Sequence, residues 1–414
     1  MVRKLLILIC LLVAGCSGGA VVFAPTPPPV GQTPIRYTHP SGVFSVILPG
    51  QWSVYEQNTT TLATAAFSMP DSAEPSLLFA VINLGKDIDS NSFGDLINLY
   101  QTTVRPDTGR YVEQDRQAMG DGSWRMTGLR SGTGGATEQD NTFIEHQGQL
   151  VGLIDVLLPS DPTQLQLVQS IVNSFTINAS ASLQPTDLTT LAYAKDSSLG
   201  ILHVATWSTP AGVFFITGEV ANYGLTTVTD VPVEVDLRGA DSVTVQGAVD
   251  KIMGYGIPPG GFAPFSLRFG GGQPSLATNY TVTLGGQNWQ PNADNPTIYG
   301  QNEMTWTDQS QFDNLNRLVI SGTVTNISQN PIREPRATVT VFDGQQNVIA
   351  AGFADITPSI SASGTAEATS SAASATEAVG TGILEPGQTT PFSITLPEMG
   401  GNPQNYIVNI QGLP

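Results

Sequence analysis

The sequence predicts an α+β domain followed by two all-β sandwiches. Three observations support this prediction: a composition typical of extracellular β-rich domains, a strand–helix–strand–helix order in the first half, and an internal repeat in the second. The chain has 414 residues, of which 43 are glycine, 29 are proline and only 12% are charged. Glycine and proline punctuate short strands, and a chain of this length can form about two to three hydrophobic cores.

The amino terminus is typical of a secretory signal. Arg3 and Lys4 supply a positive start, an apolar run follows over residues 5–13, and small residues lead to Cys16. This arrangement resembles a bacterial lipoprotein signal, in which residues 1–15 are removed and the thiol of Cys16 carries a diacylglyceride. The alternative is an uncleaved anchor, because the first charge-free stretch approaches the roughly 20 residues that a bilayer crossing requires. Both interpretations predict a tethered chain on the outer face of the cytoplasmic membrane or at the cell surface.

The cysteines and the charge balance exclude several classes of function. Cys10 lies inside the predicted signal and Cys16 takes the lipid, so the mature chain has no thiol for a disulfide, redox chemistry or a cysteine-ligated metal. Removing Arg3 and Lys4 changes the balance of 16 basic and 34 acidic residues to 14 − 34 = −20. Such a surface repels phosphate backbones, which argues against nucleic-acid binding. We expect no cofactor.

Residues 16–36 are a predicted linker, since their prolines favour extended polyproline geometry. The first domain is predicted over residues 37–178, with short β-prone runs followed by a helix at 92–104 that Ser92 caps. Four strand-like stretches follow, near 110–119, 122–130, 140–147 and 149–157. A second helix is predicted after Ser160 or Asp161 as its cap. Its predicted apolar face consists of Leu165, Val168, Val172 and Phe175. This order predicts an antiparallel sheet covered by helices.

Two segments of the first domain resemble PsbP-like domains. The opening residues 39–52 read HPSGVFSVILPGQW, in which a phenylalanine-led strand meets a Pro-Gly turn and a tryptophan. The closing residues 171–175 read IVNSF, similar to the final helix of that family and the Ser-Phe pair that follows it. The resemblance implies an α/β/α sandwich used for protein contacts. It implies no catalytic residue.

The second half of the chain contains an internal repeat, predicted over residues 187–290 and 296–414. The block at 216–222, ITGEVAN, matches ISGTVTN at 320–326, an offset of 322 − 218 = 104. The segments PG and PFSL, within residues 259–267, match PG and PFSI, within residues 386–394, at an offset of 387 − 260 = 127. Matching blocks in one order indicate duplication. Their period-two alternation predicts two immunoglobulin-like sandwiches in which the asparagine ending each first block closes a turn.

Each repeat resembles the FxLYD-type β-sandwich domain. The second repeat comes closer, with VTVFD at 339–343, whereas the first departs from that pattern at Arg238-Gly239. The change in offset, 127 − 104 = 23, places an insertion at 357–380, which is almost entirely serine, alanine, threonine, glycine and glutamate. Such a segment cannot be stabilised by burial, so we expect a disordered excursion, with a glycosylated mucin-like stretch as the alternative.

Side chains that could carry chemistry are scattered. The histidines, His39, His146 and His203, have no second ligand at metal spacing, and we expect surface imidazoles. The acidic run at 87–91 begins like a calcium loop, but Ser92 and Asn98 occupy the positions of its glycine and bidentate glutamate, so a polar turn before a helix cap explains it better. The tryptophans, Trp52, Trp124, Trp207, Trp289 and Trp306, are expected in packing, with carbohydrate stacking as the alternative.

No catalytic signature occurs in the chain: there is no Gly-x-Ser-x-Gly elbow and no phosphate-binding loop. We therefore expect a non-catalytic protein of the cell envelope that mediates protein contacts or scaffolding, anchored to the membrane through its lipid. A binder of a small ligand or glycan is the alternative. A hydrolase with an unrecognised carboxylate pair ranks last, since pairs among 34 acidic residues are too generic to assign.

Overall fold

The computed structural model describes residues 34–50, 52–69, 75–107, 109–131, 137–196, 199–224, 226–285, 289, 296–358 and 382–414. The predicted signal, Cys16 and most of the predicted linker lie outside these residues. Residues 359–380 of the predicted insertion also lie outside them. In the sequence, this insertion falls between two consecutive strands of the second repeat. Within the described ranges, none of the helices combines the length and the apolar character that crossing a membrane requires.

Between residues 34 and 177, the described part of the first domain contains ten strands and two helices. The strands are β1 (Pro34–Thr38), β2 (Phe44–Pro49), β3 (Ser53–Asn58), β4 (Leu62–Ser68), β5 (Leu77–Asn83), β6 (Tyr111–Ala118), β7 (Trp124–Ser131), β8 (Thr137–Gln147), β9 (Leu150–Leu157) and β10 (Thr176–Ile177). The helices are α1 (Ser90–Thr103) and α2 (Pro162–Val172). The four strands predicted between 110 and 157 are confirmed, and β1 begins within the range predicted as linker.

A seven-stranded antiparallel run, ordered β3-β4-β5-β9-β8-β7-β6, forms the centre of this domain. One face packs against the small sheet β1-β2-β10 and α2, and the other packs against α1. Strand β4 is buried along its whole length because both faces of the sheet are covered there. A strand covered on both faces is buried at successive positions rather than at alternate ones. The predicted antiparallel sheet with covering helices is confirmed.

The helix caps differ in one case from the prediction. Asp89 caps α1, accepting hydrogen bonds from the backbone of Asn91 and Ser92, so the cap is Asp89 and not Ser92. Asp161 caps α2 as predicted. The predicted apolar face of α2 is wrong at Leu165, which is 39% exposed. Ile171, which follows Val168 by three positions, is buried in its place.

A third helix, α3 (Thr189–Asp196), follows the serine- and proline-containing stretch near 179–186. Leu188, Leu191 and Ala194 pack into the same cluster as α1. The residues from 187 to 196, predicted to open the first repeat, therefore belong to the core of the first domain.

The two repeats have the same strand order. The first contains β11 (Leu199–Ser208), β12 (Phe214–Asn222), β13 (Val228–Thr229), β14 (Pro232–Arg238), β15 (Thr244–Lys251), β16 (Gly256–Ile257), β17 (Phe262–Phe269) and β18 (Asn279–Leu284). The second contains β19 (Met304–Phe312), β20 (Leu318–Asn326), β21 (Ile332–Phe342), β22 (Val348–Asp355), β23 (Ile383–Leu384), β24 (Thr389–Leu396) and β25 (Asn405–Leu413). Sheet β11-β12-β17 corresponds to β19-β20-β24, and β15-β14-β18 corresponds to β22-β21-β25.

The asparagine shared by the repeats performs the same task in each. Nδ2 of Asn222 donates to the carbonyl oxygens of Thr226 and Ile257, both at 2.8 Å. Nδ2 of Asn326 donates to those of Asn330 and Leu384, also at 2.8 Å. Each amide therefore closes the turn after its strand and ties it to the short strand that returns later. The predicted turn closure is confirmed.

The first domain and the first repeat share one continuous sheet. Strand β18 pairs in parallel with β3, which joins the two sheets into ten strands ordered β15-β14-β18-β3-β4-β5-β9-β8-β7-β6. Tyr55, Ala66 and Leu78, from the first domain, complete the core of the first repeat. The sandwich core is thus built partly from the preceding domain.

Candidate functional site

A polar cleft of about 380 Å³ lies where the first domain meets the first repeat. Strand β1, the outer strand of the small sheet, forms its wall. Its floor is the outward face of β3, β18 and β14, which are neighbours in the ten-stranded sheet. The polar floor residues are Glu56, Glu234, Asp236, Arg238, Thr281 and Thr283.

Strand alternation explains why polar residues line this floor. On β14, the residues at 233, 235 and 237 are fully buried in the sandwich core, and the intervening Glu234, Asp236 and Arg238 face the cleft. On β18, Val282 lies in the same core while Thr281 and Thr283 face outward. Successive side chains of a strand point to opposite faces, so the pattern that builds the core also builds the cleft.

A tyrosine–glutamate pair connects the wall to the floor. The hydroxyl of Tyr37, on β1, donates a hydrogen bond to Oε2 of Glu56, on β3. Burial raises the pKa of the Glu56 carboxyl above its ordinary value, the bond from Tyr37 lowers it, and the carboxylate of Glu234 raises it further. The side chain of Glu56 is therefore held in place at the base of the cleft.

The remaining charges of the floor are partly compensated. Nη2 of Arg238 lies 3.3 Å from Oδ2 of Asp236. Burial and the neighbouring Asp236 both raise the pKa of Glu234, and Arg238 opposes them. Three carboxylates line the cleft with two arginines, Arg36 on the wall and Arg238 on the floor, so its formal charge is negative.

A second polar group, the buried ion cluster, lies inside the first domain. It consists of Arg105, Asp140, Asp155 and Lys195, and Arg105 is only 2% exposed. The guanidinium forms ion pairs with both carboxylates, donates to Oγ1 of Thr142 at 2.6 Å and lies 3.9 Å from the ring centroid of Tyr111. Nζ of Lys195, on α3, lies 2.5 Å from Asp155 and so ties α3 to β9.

The two carboxylates of the buried ion cluster titrate in opposite directions. Burial and the repulsion of Asp155 raise the pKa of Asp140 to about 6. Burial alone would raise the pKa of Asp155, but Arg105 and Lys195 hold it well below its ordinary range. This pair faces its cations and the protein interior, so the geometry gives it a packing role rather than access to a substrate.

The second repeat presents an open sheet edge. In the first repeat, the outer edge of β18 is covered by β3 of the first domain. In the second repeat, the corresponding β25 pairs with β21 on one side. On its other side, the described residues supply only a bridge between Tyr299 and Gly412 at one end of the strand. Within the described part of the chain, the edge that docks a domain in one repeat is therefore open along most of its length in the other.

Specific contacts join the two repeats. Gln411, which is 5% exposed, accepts from the backbone N–H of Tyr255 at 2.8 Å and donates to the carbonyl of Gly256 at 2.8 Å. The hydroxyl of Thr217 donates to the carbonyl of Val348. These bonds give the glycine-flanked Tyr255 a role in the junction, and they fix the second repeat against the first.

The tryptophans described by the structure take part in packing. Trp52 is buried in the first core, and Trp207 stacks on Phe215 with ring centroids 4.2 Å apart, in contact with Gly400 across the junction. Trp289 meets Tyr55 edge-on at 5.9 Å. Trp124 and Trp306 are partly buried against neighbouring cores. These contacts favour packing over the carbohydrate-stacking alternative.

The prediction of surface imidazoles is wrong for His39, which is 1% exposed. Its Nε2 lies 2.9 Å from the carbonyl oxygen of Gln57, which can only accept, so this nitrogen carries the proton. His146 and His203 are half-buried, and Nδ1 of His203 lies 3.1 Å from Glu219. Among the described residues, no group of three histidine, cysteine, aspartate or glutamate side chains could hold a metal ion.

Two polar turns also have structural roles. The acidic run at 87–91 contains Asp89, the N-cap of α1, which confirms its interpretation as a turn before a helix. The turn at 120–123 joins β6 to β7, and Oδ1 of Asp121 accepts from the backbone N–H of Ser123 at 2.9 Å.

No protein-family model and no curated protein matches the sequence. Among solved structures, the chain is similar to cyanobacterial PsbP from Synechocystis, at 15% identity, a TM-score of 0.26, and coverage of 36% of this chain and 94% of that one. It is also similar to LpqN of Mycobacterium tuberculosis, involved in cell envelope biogenesis, at 12% identity, a TM-score of 0.23, and coverage of 35% and 91%. A red sea bream transglutaminase matches at 8% identity, a TM-score of 0.17, and coverage of 69% and 38%.

Proposed function

We propose that this chain is a non-catalytic bacterial lipoprotein of the cell envelope, with a PsbP-like domain and two FxLYD-type, immunoglobulin-like sandwiches, that makes protein contacts. The amino terminus ending in Cys16 supports the anchor. The open edge of β25 carries the interaction proposal, because its counterpart β18 docks a strand in parallel in this same molecule.

An exposed strand presents unpaired backbone N–H and C=O groups that can bind an extended segment of a partner. Ile407 follows Tyr406 on β25 as Thr281 follows Tyr280 on β18, so the two positions are equivalent. Ile407 is 39% exposed, whereas Thr281 is 5% exposed at the floor of the cleft. The partner we propose is therefore a protein that adds a strand next to β25. Specificity would come from side chains that meet Ile407.

Site-specific photocrosslinking in native envelopes tests this proposal. A photoreactive residue at Ile407 should crosslink to a defined protein, and the same residue at Leu315, a 68% exposed position in the turn between β19 and β20, should not. An Asn405→Lys substitution at the exposed start of β25 should weaken the crosslink, since charge on an edge strand opposes pairing. Equal crosslinking at Ile407 and Leu315, or none at either, would contradict the proposal.

A second function, binding of a small ligand, is favoured by the polar cleft. Its size falls in the lower part of the range of small-molecule sites, about 300–1,000 Å³. Several polar side chains converge on it from three strands. This function would be independent of the β25 edge, which lies on the other repeat.

A further inference from the structure

The ligand class that the cleft would accept follows from its charges. This inference rests on the second proposed function, ligand binding, and does not depend on protein contacts at β25. Two cations line the cleft: Arg238 lies beside Asp236, and Nη1 of Arg36 donates to Oγ of Ser45 at 3.2 Å on the neighbouring strand. Within the described ranges, neither Glu56 nor Glu234 forms an ion pair.

The burial of Glu56 and the partial burial of Glu234 make a positively charged ligand favourable. Glu56 is 7% exposed and its carboxylate interacts unfavourably with that of Glu234. A cation placed between them would relieve both the desolvation and the repulsion. The structure offers no metal-ligand group of three such residues in its described part, which favours an organic cation with N–H donors over a metal ion.

A buried hydroxyl provides an independent indication of a ligand. Thr281 is 5% exposed, and its Oγ1 has no hydrogen-bond partner among the described residues. Strand alternation directs this side chain to the floor of the cleft, since Val282 next to it lies in the core. Nε of Arg238, two positions along β14 from the residue opposite Thr281, also has no partner there. Buried polar groups are nearly always paired, so these two indicate a missing polar contact.

We propose that the cleft binds a small organic ammonium ligand. Its ammonium group lies between Glu56 and Glu234, and a hydroxyl or other acceptor on the same ligand contacts Thr281 and Nε of Arg238. The ligand has to be small, because the cleft holds about 380 Å³. It also has to carry both an N–H-rich cation and a polar group that can accept.

Calorimetry with matched probes tests this proposal on the full mature chain in detergent. Glucosamine and glucose differ by one ammonium group, as do ethanolamine and ethylene glycol, and both ammonium probes also carry a hydroxyl that can accept. We expect the ammonium member of each pair to bind with a Kd below about 10 mM and the neutral member to show no binding at that concentration.

Two variants assign the binding to this cleft. Glu234→Gln should weaken ammonium binding by about tenfold or more, since it removes a charged partner. Thr281→Val should also weaken binding but raise the melting temperature of the unliganded chain, because it removes an unpaired buried hydroxyl. Glu385→Gln, at an exposed acid of the second repeat, is the matched control and should leave binding unchanged.

Three results would overturn the proposal: no ammonium probe binds, the neutral probes bind as tightly, or Glu234→Gln and Thr281→Val leave binding unaffected. None of these results would alter crosslinking at Ile407. The failure of the ligand site and the failure of the protein-contact function are therefore distinguishable.

Discussion

Replacing Asn326 by alanine should destabilise the second repeat selectively. Besides its two bonds to the carbonyls of Asn330 and Leu384, Asn326 accepts at Oδ1 from the backbone N–H of Ser328 at 2.9 Å and from the hydroxyl of Ser328 at 2.8 Å. Asn326 is fully buried. Alanine can form none of these four bonds.

The expected loss of stability follows from these four bonds. Each contributes about 1 kcal/mol net, and an acceptor left unpaired in the interior costs about 1–3 kcal/mol. Some of the four groups will find water after the substitution, so we expect a loss of roughly 3–4 kcal/mol for Asn326→Ala. Since domains are stable by only about 5–15 kcal/mol, the second repeat should become the first part of the chain to open.

Hydrogen exchange followed by mass spectrometry resolves the two repeats. Asn326→Ala should speed exchange across β20, β21 and β24 and leave β12, β14 and β17 unchanged. Asn222→Ala should produce the reverse pattern, because it removes the equivalent bonds from the first repeat. Asn302→Ala, at an exposed position, is the control and should change stability by less than about 0.5 kcal/mol. A decrease in the free energy of unfolding of less than about 1 kcal/mol for Asn326→Ala, or a decrease shared equally by both repeats, would refute the reasoning.

Two further predictions concern the first domain. Arg105→Met should lower the free energy of unfolding, measured by urea denaturation, by roughly 3–5 kcal/mol, because it leaves Asp140 without its buried partner. A double variant with Asp140→Asn should recover part of that loss. A loss under about 1 kcal/mol would show that the buried ion cluster is not coupled to folding. Burial lowers the pKa of His39 to about 4, below its unfolded value of about 6.5, so the unfolded chain binds the extra proton and stability should fall as pH drops from 6.5 to 4. His39→Gln should flatten that part of the pH profile, measured by thermal unfolding; an unchanged slope would exclude His39 as its source.

Local patterns predicted those parts of the fold that depend on neighbouring residues. The cap of α2 follows from Asp161 before Pro162, and the turn closures follow from an asparagine at the end of each repeated block. The duplication also predicted matching strand orders, since equal patterns of buried positions direct equal pairings. The cap and the turn closures need only neighbouring residues, whereas the duplication needs a comparison of blocks 104 residues apart.

The cleft could not be predicted, because it joins residues far apart in the chain. Tyr37 and Glu56 meet Glu234 and Thr281 only because β3 pairs with β18, a parallel register between two domains that no local pattern encodes. The alternation on β14 showed that Glu234 and Asp236 face away from the core but not what they face. The burial of His39 could not be predicted for the same reason. The carbonyl that accepts the hydrogen bond from its Nε2 belongs to Gln57, on β3, 18 residues along the chain.

Mass spectrometry of the amino-terminal peptide from the membrane fraction tests most directly the claim that this chain acts while anchored outside the cytoplasm. We expect a mature chain that starts at Cys16 and carries a diacylglyceryl group on the thiol. A chain that still begins at Met1, or an unmodified Cys16 on protein recovered from the cytoplasm, would contradict the anchor and with it the proposed place of action.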